Sequence, residues 1–154
     1  NKAECSLIRT EADELTYPLH IMIRYDLEQA LLSGEIEVKD LPMHWNNAYK
    51  NYLGIDVPSD KEGVLQDVHW AGGSFGYFPT YALGSAYSAQ FLHAMQKEIN
   101  VDEAFANDDL SVINAWLKEN VHQFGNFKKP EDILKDATGE EFNPRYYIEY
   151  LLNK

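Results

Sequence analysis

Cys5 is the only cysteine among 154 residues, so no disulfide can form within the chain and a disulfide-stapled scaffold is excluded. Basic residues are also scarce: 13 Lys and Arg stand against 25 Asp and Glu, a formal net charge of -12. Nucleic-acid binding takes most of its affinity from Lys and Arg neutralising phosphates, so no nucleic-acid partner is expected. No apolar run approaches the roughly 18 residues of a membrane span, and no membrane partner is expected either. Internal repeats and low-complexity tracts are missing. Strand signals are weak, with Glu35-Ile36-Glu37-Val38 the one alternating stretch.

What is present is a globular composition, 45% hydrophobic and 25% charged, in a length that suits one domain with a sizeable core. The pattern is mainly α, one helical unit over residues 1–154 with at most a short strand or hairpin. The lone cysteine and the want of a signal peptide point to a reducing cytoplasm. Asn1 is not an initiator Met, and Asn1 to Ile8 show neither a cap nor a clear period. The unit reads as a piece cut from something longer.

Thr10-Glu11-Ala12-Asp13 matches a capping box and predicts a helix from Thr10. Leu15, Leu19, Ile23, Leu27 and Leu31 then recur every fourth residue up to Ser33-Gly34, with Pro18 expected to bend the helix slightly. Asp40-Leu41-Pro42 opens a second helix that carries Trp45, Tyr49 and Tyr52 as a core stripe to Gly54. Pro and Gly clusters then leave Ile55 to Gly76 as a long connection, and connections of that length usually have a task. A third helix is expected from about Phe78 to Ile99. Shorter ones follow over Leu110 to Val121, Pro130 to Lys135 and Pro144 to Leu152, the last capped by Asn143.

Three places carry chemistry. Arg9 stands before the predicted helix start, where partial positive charge makes a cation unfavourable by up to about 1 kcal/mol unless an anion lies between them. Arg9 and the helix amides could therefore hold a carboxylate or phosphate in a bidentate fork. The other reading is a salt bridge to Asp13, Glu14 or a remote acid. In Gly63-Val64-Leu65-Gln66-Asp67-Val68-His69-Trp70, an extended backbone would turn Leu65, Asp67 and His69 one way and Gln66, Val68 and Trp70 the other. Asp67 could then fix the tautomer of His69; a buried, satisfied His69 and a turn-forming Asp67 are the plain alternative. In Gly76-Tyr77-Phe78-Pro79-Thr80-Tyr81, two phenols one turn apart could share a face and donate to a developing oxyanion without adding formal charge. Tyr is abundant here, so either phenol could equally be packing. His20, His44, His93 and His122 have no metal-site spacing, the chain has no His-Glu-x-x-His, and no acid pair resembles a glycosidase dyad.

These segments resemble the carboxypeptidase Taq family of zinc metallocarboxypeptidases. Ile8-Arg9-Thr10-Glu11-Ala12-Asp13 is similar to its Ile-Arg-x-x-Ala-Asp motif, and Gly63 to Trp70 to its Gly-x-x-Gln-Asp-x-His-Trp motif, in the same order. Leu15 to His20 and Tyr77 to Gly84 look alike too, so the resemblance runs essentially to Lys154. It implies the carboxy-terminal part of a larger all-helical zincin-type peptidase, cytoplasmic and homodimeric, that removes carboxy-terminal residues one at a time, generally sparing a terminal proline. It implies zinc in the whole enzyme with its ligands and general base upstream of Asn1, no metal ligand in this chain, and the missing amino-terminal part as partner. Arg9 resembles the residue that binds the substrate's terminal carboxylate. Gln66, Asp67 and Trp70 belong with it as substrate-binding candidates. His69 and Tyr77, with Tyr81 as alternative, are similar to oxyanion-stabilising groups. By itself the segment would be catalytically silent. The competing reading is a non-enzymatic, acidic helical interaction module.

Overall fold

A computed structural model describes residues 3–154, which form seven α-helices and, among the described residues, no strand. The chain divides into two compact units, one up to Leu83 and one from Gly84 on.

In the first unit α1 spans Tyr17–Ser33 rather than starting at Thr10. Pro18 explains the shift: it lacks an amide hydrogen and its ring collides with the carbonyl four residues before it, so it is tolerated only in a first turn. Arg9–Glu11 is a single 3-10 turn and Ala12 is extended. Asp13, not Thr10, organises the approach to α1. Its Oδ1 accepts the amides of Leu15 and Thr16, both at 2.9 Å, and its Oδ2 that of Glu4 at 2.9 Å. Those amides hold the Asp13 carboxyl below the usual range.

Helix α2, Leu41–Leu53, follows the sequence expectation, with Pro42 in its first turn and left-handed Gly54 after its last. Ile23 and Leu27 of α1 close on Leu41, Trp45, Tyr49 and Leu53 of α2, and this cluster is the core of the unit. Trp45 stacks on Tyr49 with ring centroids 5.1 Å apart, whereas Tyr52 is exposed and Leu15 lies half in water. The alternating stretch at Glu35 to Val38 forms no strand, having no second strand with which to pair; it bends at Glu35 and Ile36 and runs into a 3-10 turn, Val38–Asp40. The connection that follows holds one 3-10 turn, Asp60–Glu62, and is otherwise turns and chain without regular structure.

α3 spans Pro79–Met95, its first turn in the first unit and the remainder in the second. The second unit adds α4 (Val101–Ala106), α5 (Ser111–Asn120), α6 (Pro130–Thr138) and α7 (Arg145–Leu152). α4 escapes the sequence reading because six residues are too short for a period, although Asn100 caps it by accepting the Glu103 amide at 3.1 Å. Ala94, Met95, Val101, Trp116 and Ala137 form the core here. Buried Gln90 accepts the amide of Asn143 at 3.0 Å and donates to Thr138 and to the Glu141 carbonyl. α7 starts one residue later than expected, with Pro144 at the cap position, and the Asn143 side chain just before it accepts the Arg145 amide at 3.1 Å. No helix among the described residues is long and apolar enough to cross a membrane.

Gly63, the first residue of the second motif, is there for want of room: a Cβ would lie 2.6 Å from Val57 Cγ1 and 3.2 Å from the Ser59 carbonyl oxygen. Gly63→Ala should destabilise the chain by about 1–3 kcal/mol through overpacking. Val57→Ala should relieve part of that loss, and urea unfolding of the two single variants and the double variant measures both effects.

Candidate active-site wall around Arg9 and His69

The two motifs meet at the Asp67 carboxylate. Arg9 approaches it with Nη2 at 2.9 Å from Oδ1 and Nε at 3.3 Å and 3.4 Å from the two oxygens, while Arg24 Nε donates to Oδ2 at 2.6 Å. Of the two readings of Arg9, a salt bridge to a remote acid is therefore the contact present. The helix-mouth argument fails, since α1 begins well beyond Arg9. Arg9 also donates through Nη1 to the Tyr17 hydroxyl at 3.2 Å. These bonds engage three of the five guanidinium N–H groups, leaving one hydrogen on each terminal nitrogen without an acceptor among the described residues. Burial opposes the charge on Arg9, but Asp67 and Tyr17 outweigh it and raise its pKa. Burial likewise opposes charge on Asp67, and the two arginines outweigh it in the other direction. Two guanidiniums against one carboxylate leave one net positive charge in a chain of formal charge -12.

Arg24 is fully buried and was not singled out in the sequence. Its Nη1 donates to the His20 carbonyl at 2.8 Å and its Nη2 to the Tyr49 hydroxyl at 3.3 Å. Tyr49 donates in turn to the Leu7 carbonyl at 3.2 Å, so the 3.1 Å contact with His20 Nδ1 is donated by the imidazole. That tautomer leaves His20 Nε2 buried without a partner among the described residues. His20, Arg24 and Glu28 lie four apart on α1 and are all buried. A readable signal existed: a titratable residue follows each of Leu19, Ile23 and Leu27, forming a polar stripe beside the apolar one.

The segment from Gly63 to Trp70 is turned rather than extended, so alternation does not set its side-chain directions. Asp67 Oδ1 lies 3.7 Å from His69 Nδ1, beyond hydrogen-bond range, and Asp67 faces the arginines instead. His69 is oriented through its other nitrogen: Nε2 meets the Tyr81 hydroxyl at 3.1 Å. Tyr77 and Tyr81 do share a face, with ring centroids 5.4 Å apart and 5.6 Å and 5.9 Å from that of His69. The Arg9 guanidinium carbon lies 4.7 Å from the Tyr81 ring centre, which joins the phenols to the cationic cluster. Buried Phe78 packs against His69 at 4.5 Å. Gln66 and Trp70 use their N–H groups within the chain, Gln66 on the Lys61 carbonyl at the surface and Trp70 on buried Glu28 Oε2 at 2.7 Å.

The site can thus present cationic N–H groups beside two phenols and an imidazole. Among the described residues no three His, Cys, Asp or Glu side chains converge as metal ligands would.

The same helical arrangement occurs in metallocarboxypeptidases of known structure. Trypanosoma cruzi metallocarboxypeptidase 1 superposes with a TM-score of 0.94 at 44% identity, over 99% of this chain and 31% of that one. An M32 carboxypeptidase from Deinococcus radiodurans R1 also gives 0.94, at 41% identity and the same coverage. The chain belongs to the carboxypeptidase Taq (M32) metallopeptidase family, whose model matches residues 1–154. Carboxypeptidase 1 of Bacillus subtilis (strain 168) is 56% identical across all of this chain, which spans 31% of that relative's length.

Burial, reinforced by Arg24 and Arg9 and opposed by Asp67 and Asp13, pushes the His20 pKa down to about 4 from 6.5. Between those values the unfolded chain binds a proton that the folded chain refuses, so stability is full above the upper value and falls with pH through the window. From pH 7 to pH 5 the His20 contribution should fall by about 2 kcal/mol. Urea midpoints across that range measure it, and His20→Gln should flatten the dependence.

Proposed function

We propose that residues 1–154 act as one helical portion, the carboxy-terminal part, of the catalytic domain of a zinc-dependent carboxypeptidase. The chain supplies the wall that grips a peptide's terminal carboxylate and donates hydrogen bonds to the scissile carbonyl, while zinc is held by residues upstream of Asn1. The supporting observation is the gathering of Arg9, Asp67, His69, Tyr77 and Tyr81, contributed by motifs 58 residues apart, around one net positive charge. Arg9 binds the carboxylate through its two remaining N–H groups, held in place by Asp67. The hydroxyl of Tyr81 or Tyr77, oriented by His69, donates to the carbonyl oxygen as negative charge develops there. Gln66 and Trp70 use their N–H groups internally, so they serve as the wall behind these groups rather than as polar contacts. The whole protein, in this reading, is a cytoplasmic homodimer acting on peptides, and the chain alone is inactive.

Exposed Met22, Tyr25 and Leu32 on α1 favour a second reading, an acidic helical interaction module. Zinc-dependent release of carboxy-terminal amino acids by the whole protein separates the two.

In the full-length protein Arg9→Ala should lower kcat/KM by about 100-fold on peptides with a free carboxylate, with metal content unchanged. The variant should also lose the preference for free carboxylate over carboxamide ends, and equal discrimination before and after the change removes Arg9 from the site. Tyr81→Phe and Tyr77→Phe identify the donor: the true one should lose roughly 10²-fold or more in kcat with KM little changed, and the other should stay near wild type.

A further inference from the structure

Glu28 is buried, 3% exposed, and takes no part in the arginine cluster contacts. Its two oxygens are divided between two points of the chain. Oε2 accepts the Trp70 indole N–H at 2.7 Å, and Oε1 accepts the backbone N–H of Gly76. Trp70 directly follows His69, and Gly76 directly precedes Tyr77. Between them Ala71 to Phe75 form an exposed loop that folds back on itself, with the Ser74 amide donating to the His69 carbonyl at 2.8 Å and the Gly73 amide to the Trp70 carbonyl at 3.0 Å. Gly76 has φ +76°, a conformation that side-chain-bearing residues adopt only with strain, so the turn that presents its N–H to Glu28 favours glycine.

We infer that Glu28 is a positioning residue: by clipping both ends of the 70–76 loop to one side chain of α1, it fixes His69 relative to Tyr77. The inference rests on the proposed role of those two residues at the substrate carbonyl. The alternative without such a role, a packing residue, does not explain why each oxygen meets a donor that flanks a different site residue. Tyr77 is half exposed and His69 partly so, and neither is held in place by core packing alone. A carboxylate offers two acceptor oxygens, whereas an amide offers one acceptor and one donor. Glu28→Gln therefore keeps the volume but sets an N–H against an N–H, at either Trp70 or Gly76, and releases one end of the loop. Trp70→Phe removes one of the two donors, after which the single amide oxygen left by Glu28→Gln can turn wholly to the Gly76 N–H.

The full-length holoenzyme tests this with Glu28→Gln, Trp70→Phe and the double variant. Glu28→Gln should lower kcat by about tenfold or more with KM within about twofold, since displacement of a positioned group acts on the chemical step more than on ground-state binding. In the Trp70→Phe background the same substitution should cost less than about threefold further. The Trp70 indole ¹H–¹⁵N resonance, assigned by its loss in Trp70→Phe, should move in Glu28→Gln whatever the activity. An unchanged kcat, an unmoved indole resonance, or equal losses in both backgrounds overturns the clip. A wild-type holoenzyme without carboxypeptidase activity overturns instead the functional reading beneath it, while the indole resonance still reports on Glu28.

Discussion

The shared carboxylate of Asp67 is the contact on which the first unit's site depends. A fully buried guanidinium such as that of Arg24 is tolerable only when its charge is matched and its N–H groups find acceptors, because the desolvation cost otherwise runs to several kcal/mol. Asp67 supplies the charge at 2.6 Å, and the His20 carbonyl and Tyr49 hydroxyl supply further acceptors. Arg24 is stacked as well, its guanidinium carbon 4.6 Å from the Trp45 ring centre. With Arg24 anchored on α1 and α2, Asp67 has a defined position, and so has Arg9, which shares its oxygens. The order of dependence runs from the core outward: Trp45 and Tyr49 place Arg24, Arg24 places Asp67, and Asp67 places Arg9.

That order changes what an anion site here means. A lone surface guanidinium loses rotamer freedom when it binds a ligand, and that loss subtracts from affinity. Arg9 has already given up that freedom to Asp67, Tyr17 and the Tyr81 ring, so in the proposed role a carboxylate would meet a fork that is preset. The internal acid does cancel one charge. Because two cations share it, a net positive charge persists, and His20 is held neutral close by so as not to add a third. The salt bridge and the anion-binding reading, which are alternatives when only Arg9 is considered, are compatible once Arg24 is counted.

The helical class, α2 and its glycine stop, the long connection and the pairing of Tyr77 with Tyr81 were all legible in the sequence, since each rests on period, punctuation or one-turn spacing. The start of α1 was misread because two local signals compete there. A capping-box pattern at Thr10 is a weak preference, whereas Pro18 is a steric prohibition, and the prohibition wins. The direction of Asp67 was misread because alternation holds only in extended chain, and the motif is turned. Arg24 and Glu28 stayed hidden for another reason. Charged side chains on a helix are assigned to solvent by default, and here α1 buries Arg24 and Glu28 beside Ile23 and Leu27 while Met22 and Tyr25 are exposed.

The buried charged stripe also accounts for how the site is shared between helix and loop. A helix fixes its side chains within a fraction of an ångström but offers only one stripe, whereas a loop can present groups in many directions yet is poorly fixed. In the first unit the two are combined. The buried polar stripe of α1 is closed to solvent; Arg24 and Glu28 reach into the 63–78 segment and bond it at Asp67, Trp70 and Gly76. Three attachment points divide that segment into short spans, so His69 and Tyr77 each sit within two residues of a fixed one. The tip from Ala71 to Phe75, by contrast, is exposed throughout. The loop's length is then compatible with a defined geometry, because its contacts to α1 are spaced along it and do not require secondary structure of its own.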